Sequence, residues 1–285
     1  MPHQSKKCRK EMMMTTTGER VRLSRLFSGG QNAVIVAMDH GLYVGPLPGM
    51  TDLAQVVKAL GGADAILMSP GSAAHCSSVF EQRGAPAMIL RLNWASNYVS
   101  VWNYTHSHSV PLLSVAEAVA QGADIVLASL TLQNPDEAED ARNVEVLSRY
   151  INEKRAVGVP LVGEVFPTGG DDAKPQDLNE QVRVGCRVAA ELGVDLVKTF
   201  YTGEGFEEIV TSTPIPILAL GAKKMKFERD ALHLAATAVR SGARGVVFGR
   251  NVIQAREPER FLDALKEVVK TGADPDRVAA KFALD

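Results

Sequence analysis

The sequence is poor in cysteine and contains no long apolar run. Its three cysteines, Cys8, Cys76 and Cys186, lie far apart, with no CxxC pair and no histidine at the spacing of a zinc site. We therefore expect no disulfide framework and a reducing environment. No stretch approaches the roughly 18 apolar residues of a membrane span, and the polar residues 1–17 lack the apolar core of a signal peptide. These absences predict a cytoplasmic protein without a membrane partner.

An excess of charge of one sign is also absent. The 31 Lys and Arg residues nearly balance the 33 Asp and Glu residues, for a formal net charge of -2. Because nucleic-acid backbones are bound by clustered positive charge, we expect no nucleic-acid partner. The hydrophobic fraction of 46% is large enough for an extensive core. We predict a flexible tail over residues 1–20 and one domain over residues 21–285.

One local pattern recurs four times along the chain: a helical stretch, a glycine and a short apolar strand. The strands that follow these glycines are AILM, IVLA, LVKT and VVF. Glycine readily ends a helix because it adopts the left-handed conformation, and short apolar runs are typical of strands buried on both faces. Four more such runs fill the gaps: Ala33 to Met38, Pro86 to Leu92, Pro160 to Val165 and Pro216 to Leu220.

Eight short strands separated mostly by helical stretches predict a (β/α)8 TIM barrel, in which each parallel strand is joined to the next by a crossover. The alternative is an open, doubly wound sheet. That fold would favour a GxGxxG sequence after an early strand, with an acidic residue about 20 positions further on, and the chain has no such fingerprint. We therefore predict an α/β protein with a single TIM barrel.

Lys198 is the most informative residue at the C-terminal ends of these strands, where TIM barrels carry their chemistry. In the run DLVKTF, alternation places Leu196, Lys198 and Phe200 on one face. Apolar surroundings favour the neutral form of a lysine amine, which attacks a carbonyl to form a Schiff base. The alternative is a lysine whose side chain reaches past the strand end into solvent. We favour the nucleophile.

Asp39 and His40 together end the entirely apolar first strand, and Arg91 ends the third. A carboxylate and an imidazole at one strand end suit general acid–base work. We predict Asp39 as a catalytic carboxylate and assign His40 and Arg91 to substrate binding.

Glycine loops follow the last two predicted strands. Gly221-Ala222 precedes Lys223, and Gly249 precedes Arg250. Small residues let backbone N–H groups approach an anion, and phosphate sites in TIM barrels recur at these two loops. Lys223 and Arg250 add positive charge and hydrogen-bond donors. The alternative is a pair of ordinary tight turns. We predict that Gly221, Ala222, Lys223, Gly249 and Arg250 bind phosphate.

His106 and His108 alternate within the polar segment NYTHSHS. Two histidines at this spacing could indicate a metal site, but a solvated loop is the interpretation we favour. We predict no metal in this protein.

The motifs taken together resemble the archaeal-type class I fructose-bisphosphate aldolases and their bacterial relatives. The segments that carry this resemblance are RLSRLF, AMDHGLYVGP, LVKTFYTGEGFEEIV, PIPILALGAKKM and GARGVVFGRNVIQ, which extend from about Arg22 to Gln254. The resemblance implies a barrel, a Schiff-base lysine at Lys198, an acidic helper at Asp39 and phosphate held by the loops at Gly221 and Gly249. It also implies a homo-oligomer, no metal and no cofactor.

Phe166 departs from the family pattern. The sugar-phosphate aldolases that the chain resembles carry a tyrosine before a proline after the fifth strand, where this chain has GEVFPTGG. Phenylalanine cannot transfer a proton, which leaves Glu164 and Tyr201 as the nearby titratable candidates. We assign the proton work to Glu164, provided that alternation points it into the barrel; the alternative is an outward-facing residue in a salt bridge.

Three functions remain open at the level of the sequence. The first is a class I aldolase, or a transaldolase of the same family, acting on a small phosphorylated ketose-like substrate. The second is a coenzyme A-dependent acyl transfer on a phosphorylated diketone, since the family includes the 3-hydroxy-5-phosphonooxypentane-2,4-dione thiolase, which likewise lacks the tyrosine. The third is a ligand-binding barrel without catalysis. We favour the aldolase.

Overall fold

Eight parallel strands close into a barrel in the computed structural model, which describes residues 16–28, 30–99, 102, 104, 106–168 and 174–285. The strands in chain order are β1 (Ala33–Ala37), β2 (Ala65–Met68), β3 (Ala87–Arg91), β4 (Asn93–Ala95), β5 (Ser109–Pro111), β6 (Ile125–Leu130), β7 (Leu161–Val165), β8 (Leu196–Phe200), β9 (Ile217–Leu220) and β10 (Gly245–Phe248). All except β4 and β5 belong to the barrel, in the order β1-β2-β3-β6-β7-β8-β9-β10 and back to β1. The TIM barrel and its eight predicted strands are confirmed.

Helices lie between the barrel strands and cover the outside of the barrel. They are α1 (Thr17–Leu26), α2 (Gly41–Val44), α3 (Leu53–Ala59), α4 (Pro70–His75), α5 (Ser77–Phe80), α6 (Val115–Ala120), α7 (Glu137–Val157), α8 (Pro175–Leu192), α9 (Phe206–Ser212), α10 (Glu228–Arg240), α11 (Arg250–Ile253), α12 (Pro258–Thr271) and α13 (Pro275–Lys281). Glycines end the two longest helices: Gly158 follows α7 with φ 62°, and Gly193 follows α8 with φ 112°. Within the recurring helix–glycine–strand pattern, Gly122, Gly193 and Gly242 have φ of 96°, 112° and 101°. Residues with a side chain rarely adopt these left-handed conformations, which explains the glycines at three of the four sites.

Alternation along the strands separates the barrel interior from the layer under the helices. The inward residues are small or aliphatic, such as Ala33, Ile35 and Leu196, and they form one buried cluster. The residues between them, such as Val34 and Val197, join the larger cluster that includes the helices. Both faces of every barrel strand are therefore buried, as the short apolar runs predict.

Helix α1 closes the N-terminal end of the barrel, because its Leu26 is fully buried in the inner cluster. The helix begins with a capping box between Thr16 and Glu19. The boundary that we predict at residue 20 thus falls inside α1, and residues 1–15 of the predicted tail lie outside the described residues. None of the described helices combines the length and the apolar composition that crossing a membrane requires.

A buried lysine joins α1 to the barrel. Lys154 of α7 donates to Glu19 Oε1 at 3.0 Å and to both carboxylate oxygens of Asp195 at 2.7 and 2.8 Å. Asp195 also accepts the backbone N–H of Leu161 at 2.7 Å. We call Glu19, Lys154 and Asp195 the base cluster; it is positioned at the end of the barrel opposite to the strand C-termini.

A two-stranded antiparallel hairpin, β4–β5, extends the connection between β3 and α6. A short 3₁₀ helix, Ser96–Tyr98, follows β4. Asn143 of α7 holds the returning chain, because its side chain accepts the Ser109 N–H at 3.2 Å and donates to the Ser107 carbonyl at 3.0 Å. The sequence analysis predicts only a solvated loop in this segment, so the hairpin is an element that it missed.

Candidate active site

Four charged side chains point into the barrel, each two residues after an inward-facing apolar residue of its strand. Lys198 follows Leu196 on β8, Glu164 follows Val162 on β7, Arg91 follows Ile89 on β3, and Asp39 lies two residues after Ala37 of β1. All four are buried, with 6% or less of each exposed. We call them the mouth cluster, because they lie at the C-terminal ends of the strands.

Arg91 bridges the two carboxylates of the mouth cluster. Its Nε donates to Asp39 Oδ2 at 2.5 Å, and its Nη2 donates to Glu164 Oε2 at 2.5 Å. The other Glu164 oxygen, Oε1, accepts a hydrogen bond from Lys198 Nζ. Glu164 therefore points into the barrel and contacts the predicted nucleophile, which answers the question of orientation that strand alternation left open.

Both carboxylates of the mouth cluster are ionised at neutral pH. Burial opposes ionisation, but the positive charges of Arg91 and Lys198 outweigh it and lower the pKa of Asp39 to about 2. The same two cations hold the pKa of Glu164 below its usual range, against burial and against the charge of Asp39. Two negatively charged proton acceptors thus flank the predicted nucleophile.

The sequence predicts apolar surroundings for Lys198, but its amine group has a charged neighbour. Leu196 and the other inner residues lie beneath it, but Nζ itself contacts the Glu164 carboxylate. Glu164 is paired in register with Lys198 across β7 and β8, a neighbour that the local sequence around Lys198 does not contain. The contact gives the amine an adjacent acceptor for its proton.

A cavity of about 620 Å³ opens above the mouth cluster. All ten residues that the sequence predicts for the site line it: Asp39, His40, Arg91, Glu164, Lys198, Gly221, Ala222, Lys223, Gly249 and Arg250. The structure thus brings the predicted residues together, while their individual roles stay predictions.

The two glycine loops meet closely at this cavity. A Cβ at Gly249 would lie 2.2 Å from His40 Cε1, and a Cβ at Gly221 would lie 2.8 Å from the Phe248 ring. Neither position therefore accepts a side chain without rearrangement. Asn251 joins the loops, since its side-chain amide donates to the carbonyl of Gly221 at 2.8 Å and of Lys223 at 3.2 Å. The sequence analysis gave Asn251 no role.

His40 is neutral at neutral pH. Burial lowers its pKa to about 4, and the charges of Lys198 and Arg250 act in the same direction against the opposing charge of Asp39. Its Nδ1 is buried without a hydrogen-bond partner among the described residues.

Aromatic side chains form one wall of the cavity. Tyr98 stacks between Tyr43, with ring centroids 4.8 Å apart, and Phe166, with centroids 4.0 Å apart. The Arg91 guanidinium lies 5.2 Å from the Tyr43 ring centroid and 5.3 Å from that of Tyr98. Neither tyrosine was predicted for the site, although the segment NWASNY after β3 carries two aromatic residues.

Tyr201 and the two loop histidines lie outside this cavity lining. The Tyr201 ring packs edge-on against Phe206 at 5.1 Å. His106 Nδ1 lies 2.8 Å from Glu139 Oε1, and the side chains of His106 and His108 are 48% and 65% exposed. Within the described part of the chain, no group of three His, Cys, Asp or Glu residues is arranged to hold a metal ion.

Several known proteins are similar to this chain in sequence and in fold. Residues 33–255 match the DeoC/LacD family of aldolases. An uncharacterized aldolase of Saccharolobus solfataricus is 33% identical over 265 residues, which cover 90% of this chain and 96% of the relative. A 3-hydroxy-5-phosphonooxypentane-2,4-dione thiolase of Escherichia coli is 30% identical over 262 residues, which cover 91% of this chain and 85% of the thiolase.

A solved structure of a Schiff-base-forming fructose-1,6-bisphosphate aldolase superposes with a TM-score of 0.75 at 30% identity. The match covers 87% of this chain and 98% of that aldolase. The resemblance read from the sequence motifs is confirmed. The chain belongs to the DeoC/LacD family of aldolases, and it is an enzyme of the class I, Schiff-base type.

Proposed function

We propose that this protein cleaves or forms a carbon–carbon bond in a small phosphorylated ketose-like substrate. One observation carries the proposal: the amine of Lys198 and the cationic glycine loops at Gly221 and Gly249 line the same cavity. A ligand that satisfies both features has a carbonyl group for the amine and an anionic group for the loops.

The covalent chemistry begins at Lys198. Its neutral amine attacks the substrate ketone to give a carbinolamine, which loses water and becomes an iminium ion. The positive iminium accepts the electron pair of the bond between its α and β carbons as that bond breaks. The hydroxyl group on the β carbon gives up its proton in the same step, which yields a neutral enamine and a carbonyl product. Protonation of the enamine carbon and hydrolysis of the resulting iminium release the second product and restore the amine.

The carboxylates of the mouth cluster perform the proton transfers in this scheme. Glu164 contacts Nζ and is placed to take the proton that Lys198 must lose before it attacks. Asp39 is ionised and lies on the other side of Arg91. Arg91 fixes both carboxylates through its two short hydrogen bonds and compensates their charge.

The anionic end of the substrate is assigned to the glycine loops. Lys223 and Arg250 supply positive charge, and the bare backbone at Gly221 and Gly249 leaves room for a close approach. Neutral His40, packed against Gly249, supplies a further polar contact without added charge.

Coenzyme A-dependent acyl transfer on a phosphorylated diketone is the second candidate. It is favoured by the 30% identity to the Escherichia coli thiolase and by Phe166 at a position that cannot transfer a proton. This reaction would use the same lysine and the same glycine loops for the phosphate group, with coenzyme A as the acceptor of the acyl group.

Borohydride trapping tests the proposal. The protein is incubated with dihydroxyacetone phosphate, fructose 1,6-bisphosphate and other phosphorylated ketones, reduced with borohydride, digested and mapped by mass spectrometry. We expect an adduct on the Lys198 peptide and none in the Lys198→Ala variant. An adduct on Lys223 instead, or none with any ketone, would overturn the proposal. Turnover that requires added coenzyme A would replace the aldolase by the acyl transferase.

A further inference from the structure

Tyr98 lies in the hairpin region, on the single 3₁₀ turn after β4, and its ring is held on both faces. Tyr43 and Phe166 stack on it, and the Arg91 guanidinium lies 5.3 Å from its centroid. These contacts fix the plane of the ring over the mouth cluster. The hydroxyl group of Tyr98 takes no part in these ring contacts.

The Tyr98 hydroxyl oxygen is buried and makes no well-formed hydrogen bond with another described residue, although the Glu164 carboxylate lies close enough to interact with it. Buried hydroxyl groups without a partner are uncommon in folded proteins, because they have lost their water without a replacement. Tyr98 also lines the cavity above Lys198. A polar atom of the substrate in that cavity is the partner that this position fits.

The other tyrosines near the site do not offer such a group. The Tyr43 hydroxyl donates to the Asn93 carbonyl at 3.4 Å. Tyr104 lines the cavity but is 51% exposed, so water reaches it. Tyr201 packs against Phe206 and is absent from the cavity lining.

The surroundings of Tyr98 keep its proton in place at neutral pH. Burial raises its pKa, and the negative charge of Glu164 raises it further. The phenol is therefore a hydrogen-bond donor in the resting enzyme, and the Glu164 carboxylate is the acidic group that interacts with it.

We propose that the Tyr98 hydroxyl binds the substrate hydroxyl next to the cleaved bond and passes the proton of that hydroxyl on to Glu164. This proposal rests on the carbon–carbon cleavage proposed above. In the step, the substrate O–H proton moves to Tyr98 Oη while the phenol proton moves to a Glu164 oxygen. The carbon–carbon bond breaks, its electron pair neutralises the iminium, and the substrate oxygen becomes the carbonyl oxygen of the leaving product.

The charge balance favours this transfer at the moment it is needed. Before cleavage, Glu164 faces two positive groups, Arg91 and the iminium on Lys198. Cleavage converts the iminium into a neutral enamine, which removes one of the two charges that hold the pKa of Glu164 low. Glu164 therefore becomes a better proton acceptor as the bond breaks, and Tyr98 ends the step as a neutral phenol again.

The test compares Tyr98→Phe with Tyr201→Phe. Each variant loses one hydroxyl group, but Tyr201 lies outside the cavity lining. Wild type and both variants are assayed for cleavage of the phosphorylated ketose that wild type cleaves fastest in a panel containing fructose 1,6-bisphosphate. We expect Tyr98→Phe to lower kcat by about 10²–10⁴-fold, the usual effect of removing a positioned acid or base, and Tyr201→Phe to leave it unchanged.

Two further measurements separate proton transfer from structural damage. Borohydride trapping of that ketose on Lys198 should persist in Tyr98→Phe, because Schiff-base formation precedes the transfer. The melting temperature should stay close to the wild-type value, because the lost hydroxyl makes no well-formed hydrogen bond with another described residue. A lower melting temperature together with lost trapping would show that Tyr98 is structural and would overturn the proposal.

The outcomes distinguish this inference from the function on which it rests. Normal cleavage by Tyr98→Phe, alongside trapping on Lys198 in wild type, overturns the role of Tyr98 alone. Wild type that neither cleaves any member of the panel nor is trapped on Lys198 overturns both.

Discussion

Two buried lysines lie near opposite ends of this barrel, and each contacts carboxylates. In the base cluster, Lys154 is 4% exposed and is held by Glu19 and Asp195 through three hydrogen bonds. In the mouth cluster, Lys198 is 6% exposed and hydrogen-bonds one carboxylate among the described residues, that of Glu164, beneath a cavity of about 620 Å³.

The two clusters have similar charges but differ in whether a small molecule can reach the lysine amine. The Lys154 amine has its partners in place on α1 and at the start of β8, so it fastens one element to another. Lys198 keeps one face towards space that a small molecule can enter. Burial of a lysine beside a carboxylate is thus a poor sign of catalysis unless a cavity adjoins it.

The largest expected effect is the loss of catalytic activity on replacing Lys198, the lysine beneath the cavity. Lys198→Ala should abolish turnover while the protein stays folded, because the nucleophile is lost and the barrel core is not. Circular dichroism and a cleavage assay with the best phosphorylated ketose check this. Measurable turnover at more than about one thousandth of the wild-type rate would contradict the role of Lys198 as nucleophile, since loss of a covalent catalyst typically costs more than that.

The second prediction compares one carboxylate from each cluster. Glu164→Gln should lower kcat by about 10²–10⁴-fold, because the amide cannot accept the proton of Lys198 or of the substrate. Glu19→Gln should leave kcat of the folded enzyme unchanged, since the Glu19 side chain binds Lys154 and the Thr16 N–H, both far from the cavity. Equal kcat values for the two variants would show that Glu164 is no more than an ion-pair partner.

The third prediction concerns stability. Lys154→Met should lower the free energy of unfolding by about 3 kcal/mol, because it leaves the Glu19 and Asp195 carboxylates buried without their cation. The exposed pair between Arg142 and Glu145 provides the control: Arg142→Met should cost less than about 1 kcal/mol. Urea unfolding measures both, and similar losses in the two variants would refute a stabilising base cluster.

The last prediction concerns the pH dependence of stability and arises from His40 at the mouth of the barrel, since the base cluster contains no histidine. The folded pKa of His40, about 4, lies below the value of 6.5 expected for an unfolded chain. Between these values the unfolded chain binds the extra proton, so stability falls as the pH drops from 6.5 to 4.

Replacing His40 isolates this contribution. His40→Gln should flatten the fall in unfolding free energy over that range, by at most about 1.4 kcal/mol per pH unit. Urea unfolding at several pH values measures the slope. Parallel curves for wild type and variant would show that His40 is not held neutral by the fold.

The barrel and the location of the site follow from local sequence. Glycines at helix ends such as Gly122 and Gly193, together with the short apolar runs, define eight strands, and parallel strands bring their C-terminal ends to one mouth. For that reason the ten predicted residues line one cavity, although the sequence spacing between them is large.

The contacts within the site depend on neighbours that are distant in sequence. The Lys198 environment comes from Glu164, which is 34 residues away, and Arg91 reaches Glu164 across 73 residues. The hairpin is held in the same way, since Asn143 binds Ser107 at a separation of 36 residues. No local pattern encodes such partners, so the hairpin, and Tyr98 with it, escaped the sequence analysis.

The side chain of Asn251 has a thermodynamic consequence for ligand capture. It is 1% exposed, and it binds backbone groups of the loop after β9 from the start of α11, the short helix that follows β10. Two loops that belong to different β/α units are therefore ordered relative to each other before any substrate arrives. Binding an anion there incurs little loss of loop entropy, so more of the interaction energy remains as affinity.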